Sequence, residues 1–214
     1  MSLCLDEEND AIWIGSYGDI GVVQIDAQNN KSYTSLKELL PEKERDIKEV
    51  WNVHKYRGDI FFTAQFKIIR WDGSNFKIWN LNTPRRIITH IVNDTLYVHQ
   101  RGRGLLRYND EGFELISDNP IIQDSGIVSM YPWNDSILLV TMDKGLFIYK
   151  DNQITPYSTE ANEYLKEHSI VNSAMSAGRL LCGTFSGELV FIDLNGNIID
   201  VIGKSSGLNG ELTL

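Results

Sequence analysis

A unit of about fifteen residues recurs five times along this chain, and that recurrence limits what the chain can fold into. Each copy is a short apolar strand, a turn, and a second strand ending in a polar residue. The copies are AIWIGSYGDIGVVQID (11–26), DIFFTAQFKIIRWD (59–72), TLYVHQRGRGLLRYN (95–109), SILLVTMDKGLFIYK (136–150) and RLLCGTFSGELVFID (179–193). Their last residues lie 46, 37, 41 and 43 positions apart. That period matches four-stranded propeller blades and is too long for leucine-rich repeats, and the strand character excludes helical repeats.

The fourth copy shows the full unit. IVSMYPW alternates as a strand, Asn134-Asp135 turns the chain, and SILLVTM follows as a buried strand. Asp143-Lys144 turns into GLFIYK, and Asp151-Asn152 turns into QITPYS. Four strands joined by short polar turns form an up-and-down meander, which is one blade. Gly58-Asp59, Asn93-Asp94, Asn134-Asp135 and Ala177-Gly178 are read as first-to-second-strand turns. Asp72-Gly73, Asp110-Glu111-Gly112, Asp151-Asn152 and Asn195-Gly196 are read as third-to-fourth-strand turns. Gly, Asn and Asp tolerate the positive φ that such turns need. Two inserts, Ser35–Ile47 and Ser158–Ser169, predict short helical turns, the second capped by Ser158 with Ala161, Tyr164 and Leu165 on its apolar face.

The expected fold class is therefore all-β, a β-propeller of about five four-stranded blades. The approximate blades are 2–36, 47–80, 86–117, 127–158 and 170–202 within a single partial domain, 1–214, with 203–214 starting a further blade. No run of 18 apolar residues is present, so no stretch of the sequence reads as a transmembrane helix. A net charge of −9 repels phosphate backbones and argues against nucleic acid as a partner. Cys4 and Cys182 make no disulfide framework and no metal-ligand spacing.

At this point the motif resembles a known family. AIWIGSYGDIGVVQID is similar to the "lWiGT-x-x-GLyxyd" repeat of two-component regulator propellers, with Ile12-Trp13-Ile14-Gly15 and Gly183-Thr184 matching best. The second copy departs from it, carrying Lys67 where the repeat has Gly. The resemblance covers essentially the whole chain in five copies. It implies the periplasmic or extracytoplasmic sensor region of a membrane-bound histidine kinase or hybrid kinase of the Bacteroidetes type, or of a related propeller-containing transcriptional regulator. It further implies a ring of seven blades that responds to glycan fragments. SLCLDEEND resembles the start of a repeat and SGLNGELTL the start of a sixth blade. The chain is accordingly expected to be a fragment of a seven-bladed ring, with Met1–Leu3 a non-native start and self-association through the terminal blades.

Catalysis finds little support. His54, His90, His99 and His168 share no spacing, although His90 and His99 flank one hairpin and could approach each other. Gly183-Thr-Phe-Ser-Gly187 places its serine one position late for a nucleophile elbow and lies in a hairpin. Gly203-Lys204-Ser205 lacks the upstream glycine of a phosphate loop, Ile198 standing there instead. Asp193-Leu-Asn195-Gly-Asn197 has the flavour of a calcium loop without its closing Glu, and reads as a turn. No catalytic residue, metal ligand or cofactor is expected.

The ligand candidates come from topology. In a propeller the loops between second and third strands share one face with the connections between blades. Here those loops hold Tyr17, Asp19, Gln65, Gln100, Arg101, Arg103, Asp143, Lys144 and Phe185. Aromatic rings stack on sugars while polar groups bond hydroxyls. Arg101 and Arg103 form a pair that can fork onto a carboxylate such as a uronic acid. The expected role is a non-enzymatic sensor binding an oligosaccharide, with no direct membrane contact by this segment. The alternatives are a propeller scaffold for protein–protein interaction and, less favoured, a propeller lyase or lactonase.

Overall fold

The computed structural model describes residues 1–81 and 86–208. The first sheet is β1 (Ser2–Asp6), β2 (Ala11–Gly15), β3 (Ile20–Ile25) and β4 (Lys31–Ser35). The second is β5 (Val50–Tyr56), β6 (Asp59–Ala64), β7 (Lys67–Trp71) and β8 (Phe76–Asn80). The third is β9 (Ile87–Val92), β10 (Thr95–Gln100), β11 (Gly104–Asn109) and β12 (Gly112–Ser117). The fourth is β13 (Ile127–Trp133), β14 (Ser136–Thr141), β15 (Leu146–Lys150) and β16 (Gln153–Pro156). The fifth is β17 (Ile170–Ser176), β18 (Arg179–Thr184), β19 (Leu189–Asp193) and β20 (Ile198–Ile202). Each sheet is an antiparallel meander in sequence order, so the five-blade, all-β expectation holds.

Two compact units divide the chain: Met1–Ile91 with Asn109–Gly112, and Val92–Tyr108 with Phe113–Leu214. In the first unit, Ile20, Val50, Val53, Ile60, Phe62 and Ile69 form a core between the first and second sheets, with Cys4 and Trp13 packed on it. In the second, Tyr97, Leu105, Met130, Ile137, Leu139 and Phe147 form one core, and Leu138, Val140, Leu180, Cys182, Val190 and Ile192 another. Second strands such as SILLVT are buried on both faces, whereas the fourth strand KSYTS is exposed throughout. The apolar runs of the inner strands follow from that two-sided packing.

The turn into β6 is Arg57-Gly58, both at positive φ, one residue earlier than the sequence reading of Gly58-Asp59, because Asp59 already pairs with Tyr56. Asn93-Asp94 and Ala177-Gly178 also carry two positive φ values, the geometry that suits a twisted hairpin. At Gly104 (φ 128°) a Cβ would lie 2.1 Å from the Ser117 carbonyl oxygen, so only glycine fits where the third strand of that blade begins. In the Asp193 turn, Oδ1 accepts the N–H groups of Asn195 and Asn197, and Oδ2 accepts the Asn197 amide. Asp26 makes the same bonds to Gln28 and Asn30, which marks both as plain turns.

The inserts also differ in detail from expectation. Ser35–Ile47 holds two 3-10 turns, Lys37–Leu39 and Glu42–Glu44. The helix in the second insert is α2 (Ala161–His168); Glu160, not Ser158, stands at its N-cap, and no side chain caps it. Its apolar face is the buried Ala161 and Leu165 with Tyr164 half-buried beside them, as read. A further helix, α1 (Pro120–Asp124), was not expected. Asn119 caps it by accepting the Ile121 N–H, with Pro120 at the first helical position, a pairing that starts helices well. Of the start of a further blade proposed at 203–214, residues 209–214 lie outside the described residues; Lys204–Ser206 forms a 3-10 turn.

Lys67, the departure from the repeat, is explained by the first insert. Its buried ammonium donates to the Glu44 carboxylate at 2.8 Å and the Glu44 carbonyl at 3.2 Å. Asn80 donates to the other Glu44 oxygen at 3.4 Å. A lost glycine in the repeat thus coincides with a gained ion pair that ties the insert to the second blade.

Candidate functional site

The nine candidate residues fall into three groups. Two belong to the first unit's β2–β3 loop. Asp19 is committed internally, accepting from the Tyr33 hydroxyl at 2.7 Å, the Ser35 hydroxyl at 2.6 Å and the Ile20 N–H at 2.9 Å. Burial, reinforced by Asp19, pushes the Tyr33 phenol up to about 12. Asp19 therefore orders its own blade, leaving Tyr17, 76% exposed, as the surface group of that loop. Gln65 lies half-buried on the separate β6–β7 loop, and no bond joins it to Tyr17 or Asp19 among the described contacts.

The second group is drawn together in the other unit by α1, which the sequence did not announce. Arg101 Nε donates to the Asp124 carbonyl. Lys144 pairs with the Asp124 carboxylate at 3.0 Å. The Ser125 hydroxyl donates to the Asp143 carboxylate at 2.5 Å. Gln123 donates to the Arg103 carbonyl at 3.2 Å, and the Gly102 N–H returns a bond to the Gln123 carbonyl at 2.9 Å. Arg103 reaches back to Gln100 Oε1 at 3.4 Å, and Gln100 itself is buried. Five candidates thus meet around one helical turn: Gln100, Arg101, Arg103, Asp143 and Lys144.

His99 fixes this arrangement from beneath. It is buried; its Nε2–H donates to the Ile122 carbonyl at 2.7 Å and its Nδ1 accepts the Ile127 N–H at 3.4 Å. That pairing assigns the neutral ring with the proton on Nε2. Burial pushes its pKa down to about 4, the bond to Ile122 opposing and Arg101 assisting. His99 is therefore a structural pin for α1. Among the described residues no group of three His, Cys, Asp or Glu side chains lies close enough to hold a metal ion.

A pH signature follows from His99. The unfolded ring titrates near its ordinary value of about 6.5 and the folded one only near 4. Between these values the unfolded chain binds a proton that the folded chain does not, so stability present above about pH 6.5 is lost as pH falls toward 4. The expected loss is on the order of 2–3 kcal/mol. Urea denaturation at pH 7 and near pH 4.5 should show it in the wild type, and His99→Gln should remove that increment. A wild type and variant with the same pH dependence would discard the assignment.

Phe185, the ninth candidate, is 60% exposed and borders a groove of about 520 Å³. Met142, Glu167, His168, Ser169 and Ser186 complete its lining. The Phe185 N–H donates to the His168 and Ser169 carbonyls at 3.2 and 2.8 Å, clamping the loop to the end of α2. The His168 ring stacks on Tyr164 at 3.9 Å, and Tyr164 donates to Glu188 at 2.7 Å. Met142 precedes Asp143, so one loop serves both the groove and the charged cluster. The sequence reading missed Gln123, Asp124, Ser125, Met142 and His168. Only the Asn119-Pro120 pair, a cap followed by proline, could have signalled the helix that carries the first two.

No protein-family model matches the chain, and no curated protein matches it in sequence. Solved structures share its fold. The extracellular domain of a hybrid two-component system of B. thetaiotaomicron, BT4673, is similar at a TM-score of 0.64 and 19% identity, over 92% of this chain and 26% of that one. The extracellular domain of a second such system from B. thetaiotaomicron, BT3049, gives 0.60 and 13%, over 97% and 35%. The propeller YCF48, solved with D1 peptide bound, gives 0.64 and 11%, over 94% and 68%. The chain spans about a quarter to a third of the two extracellular domains' length. Five four-stranded sheets and these likenesses together identify a propeller-type fold, shared with extracellular domains of two-component systems.

Proposed function

We propose that this chain is a ligand-binding, non-enzymatic segment of an extracytoplasmic sensor, and that its ligand is an anionic glycan fragment. The observation that carries the reading is the convergence of Arg101, Arg103 and Lys144 on α1, one loop away from the Phe185 groove. Arg101 and Lys144 both reach Asp124, and the exposed Arg103 guanidinium extends from the same loop beside Gln100, so cations cluster here on an otherwise acidic chain. Guanidinium groups take carboxylates in a planar fork, and an exposed phenyl ring takes the apolar face of a pyranose. Fold likeness to extracellular domains of two-component systems supports the sensor role and the extracytoplasmic setting.

A panel of oligosaccharides tests this directly. Uronate-containing fragments should raise the melting temperature and bind saturably in calorimetry, while neutral fragments of equal length bind at least tenfold more weakly. Equal binding of both, or of neither, counts against the anionic-glycan reading.

A second reading is a protein-interaction scaffold. It is favoured by the exposed Tyr17 and Phe185 rings and by the likeness to YCF48, which was solved with a peptide bound. Saturable binding of acidic peptides in place of uronates would support it.

A further inference from the structure

We propose that the Asp124 carboxylate is a built-in competitor at the anion site: it holds the Lys144 ammonium that a ligand carboxylate would take, and so sets how much a ligand must bring in order to bind. The inference deepens the anionic-glycan reading and rests on it. Asp124 is the last residue of α1, and its side chain is 67% exposed. Its carboxylate lies 3.0 Å from Lys144 Nζ, and its carbonyl accepts the Arg101 Nε–H. Asp124 first and Asp143 after it hold the Lys144 ammonium above the usual lysine range, while Arg101 acts against them. Two cations of the site therefore meet at one residue, and one of them is already engaged by a carboxylate that belongs to the chain.

The frame that carries Lys144 does not depend on that carboxylate. The Lys144 N–H donates to the Thr141 hydroxyl at 3.1 Å. Just before it, the Met142 N–H donates to the Gly126 carbonyl at 2.8 Å, and the Met142 carbonyl accepts the Ile170 N–H at 2.6 Å. Asp143 is held separately by the Ser125 hydroxyl at 2.5 Å. Arg101 is held by the Asp124 main chain, which any side-chain exchange leaves in place. A ligand can thus take Lys144 from Asp124 by side-chain motion alone.

The exchange is close to balanced, because an exposed ion pair contributes little in water. The internal carboxylate nevertheless stands at high effective concentration and never diffuses away. It lowers the affinity of every carboxylate by the same factor. Only those with further contacts, such as a sugar ring that stacks on Phe185, remain bound. Asp124 is in this sense a specificity-determining residue: it filters out small carboxylates that offer charge and nothing else.

Calorimetry of the full chain with a uronate oligosaccharide, and with a neutral oligosaccharide of equal length, tests the inference. Asp124→Asn keeps the shape of the side chain and the carbonyl that Arg101 holds, so its melting temperature should stay near wild type. It should bind the uronate roughly fivefold tighter, the scale of one exposed ion pair, with no change for the neutral sugar. Most of that gain should vanish in a Lys144→Met background, because the competition runs through Lys144. Asp200→Asn removes the same charge from an exposed site on β20 and should give no gain. Equal uronate affinity in wild type and Asp124→Asn overturns the inference and leaves the anionic-glycan reading standing. Equal gains in Asp124→Asn and Asp200→Asn overturn it too, since net charge alone would then account for the effect. A uronate that binds neither protein removes the reading and the inference together, whereas one that binds only Asp124→Asn supports both.

Discussion

Replacing Glu44 by Ala is expected to destabilise the protein by about 3 kcal/mol, because it leaves the Lys67 ammonium buried beside a carbonyl alone. Breaking one half of a buried ion pair is costly because the remaining charge has lost both water and its partner. The Asn80 amide loses its acceptor in the same step. Removing both charges should cost far less: Glu44→Leu with Lys67→Met exchanges an ion pair for apolar packing, a change that is often neutral. The signature is thus non-additivity, with the paired variant more stable than Glu44→Ala alone. Chemical denaturation of the variants at neutral pH measures it. Additive losses would mean that the pair contributes through packing and not through charge.

The second large effect concerns binding. Arg101→Ala with Arg103→Ala should weaken an anionic ligand by roughly 100-fold, since each charge-assisted hydrogen bond is worth about 1.5–3 kcal/mol and losses within one site overlap. The two positions are not equivalent. Arg103 is exposed and makes a single long side-chain bond to Gln100, so its removal should leave stability unchanged. Arg101 also pins the Asp124 carbonyl, and its removal should cost about 1 kcal/mol of stability as well. Arg103→Lys keeps the charge but not the planar fork, and should recover only part of the affinity. Calorimetry with a uronate fragment separates these outcomes, and an unchanged affinity in Arg103→Ala removes that residue from the site.

These two cases mark where local sequence stops being informative. Lys67 is visible in the sequence as an oddity within the repeat, yet its partner lies 23 residues earlier in a different element. Nothing within a strand-length window says that an insert's glutamate will reach it. Arg101 and Arg103 stand out as a pair in the sequence, whereas the Gln123 and Asp124 groups that organise their loop come from a five-residue helix too short to show a period. Asp19 errs the other way: as a carboxylate at a loop tip it looks available, and three local donors consume it.

The sequence by itself determined the five sheets, their strand order and almost all their turns. Those features rest on short-range rules: alternation within a strand, positive φ at Asn, Asp and Gly, and a two-residue reach between strands. Val50–Asn80 and Ile127–Pro156 fold as read because each hairpin is specified within its own fifteen residues. Only the tertiary structure decided which loop residues meet and which blade faces are covered. Gln100, Arg101, Arg103, Asp143 and Lys144 converge because the connection at residues 118–126 is held by His99 through Ile122 and Ile127. The burial of Phe62 and Leu139 likewise depends on which sheet lies against them, and sheet-on-sheet burial is a long-range property that no single repeat encodes.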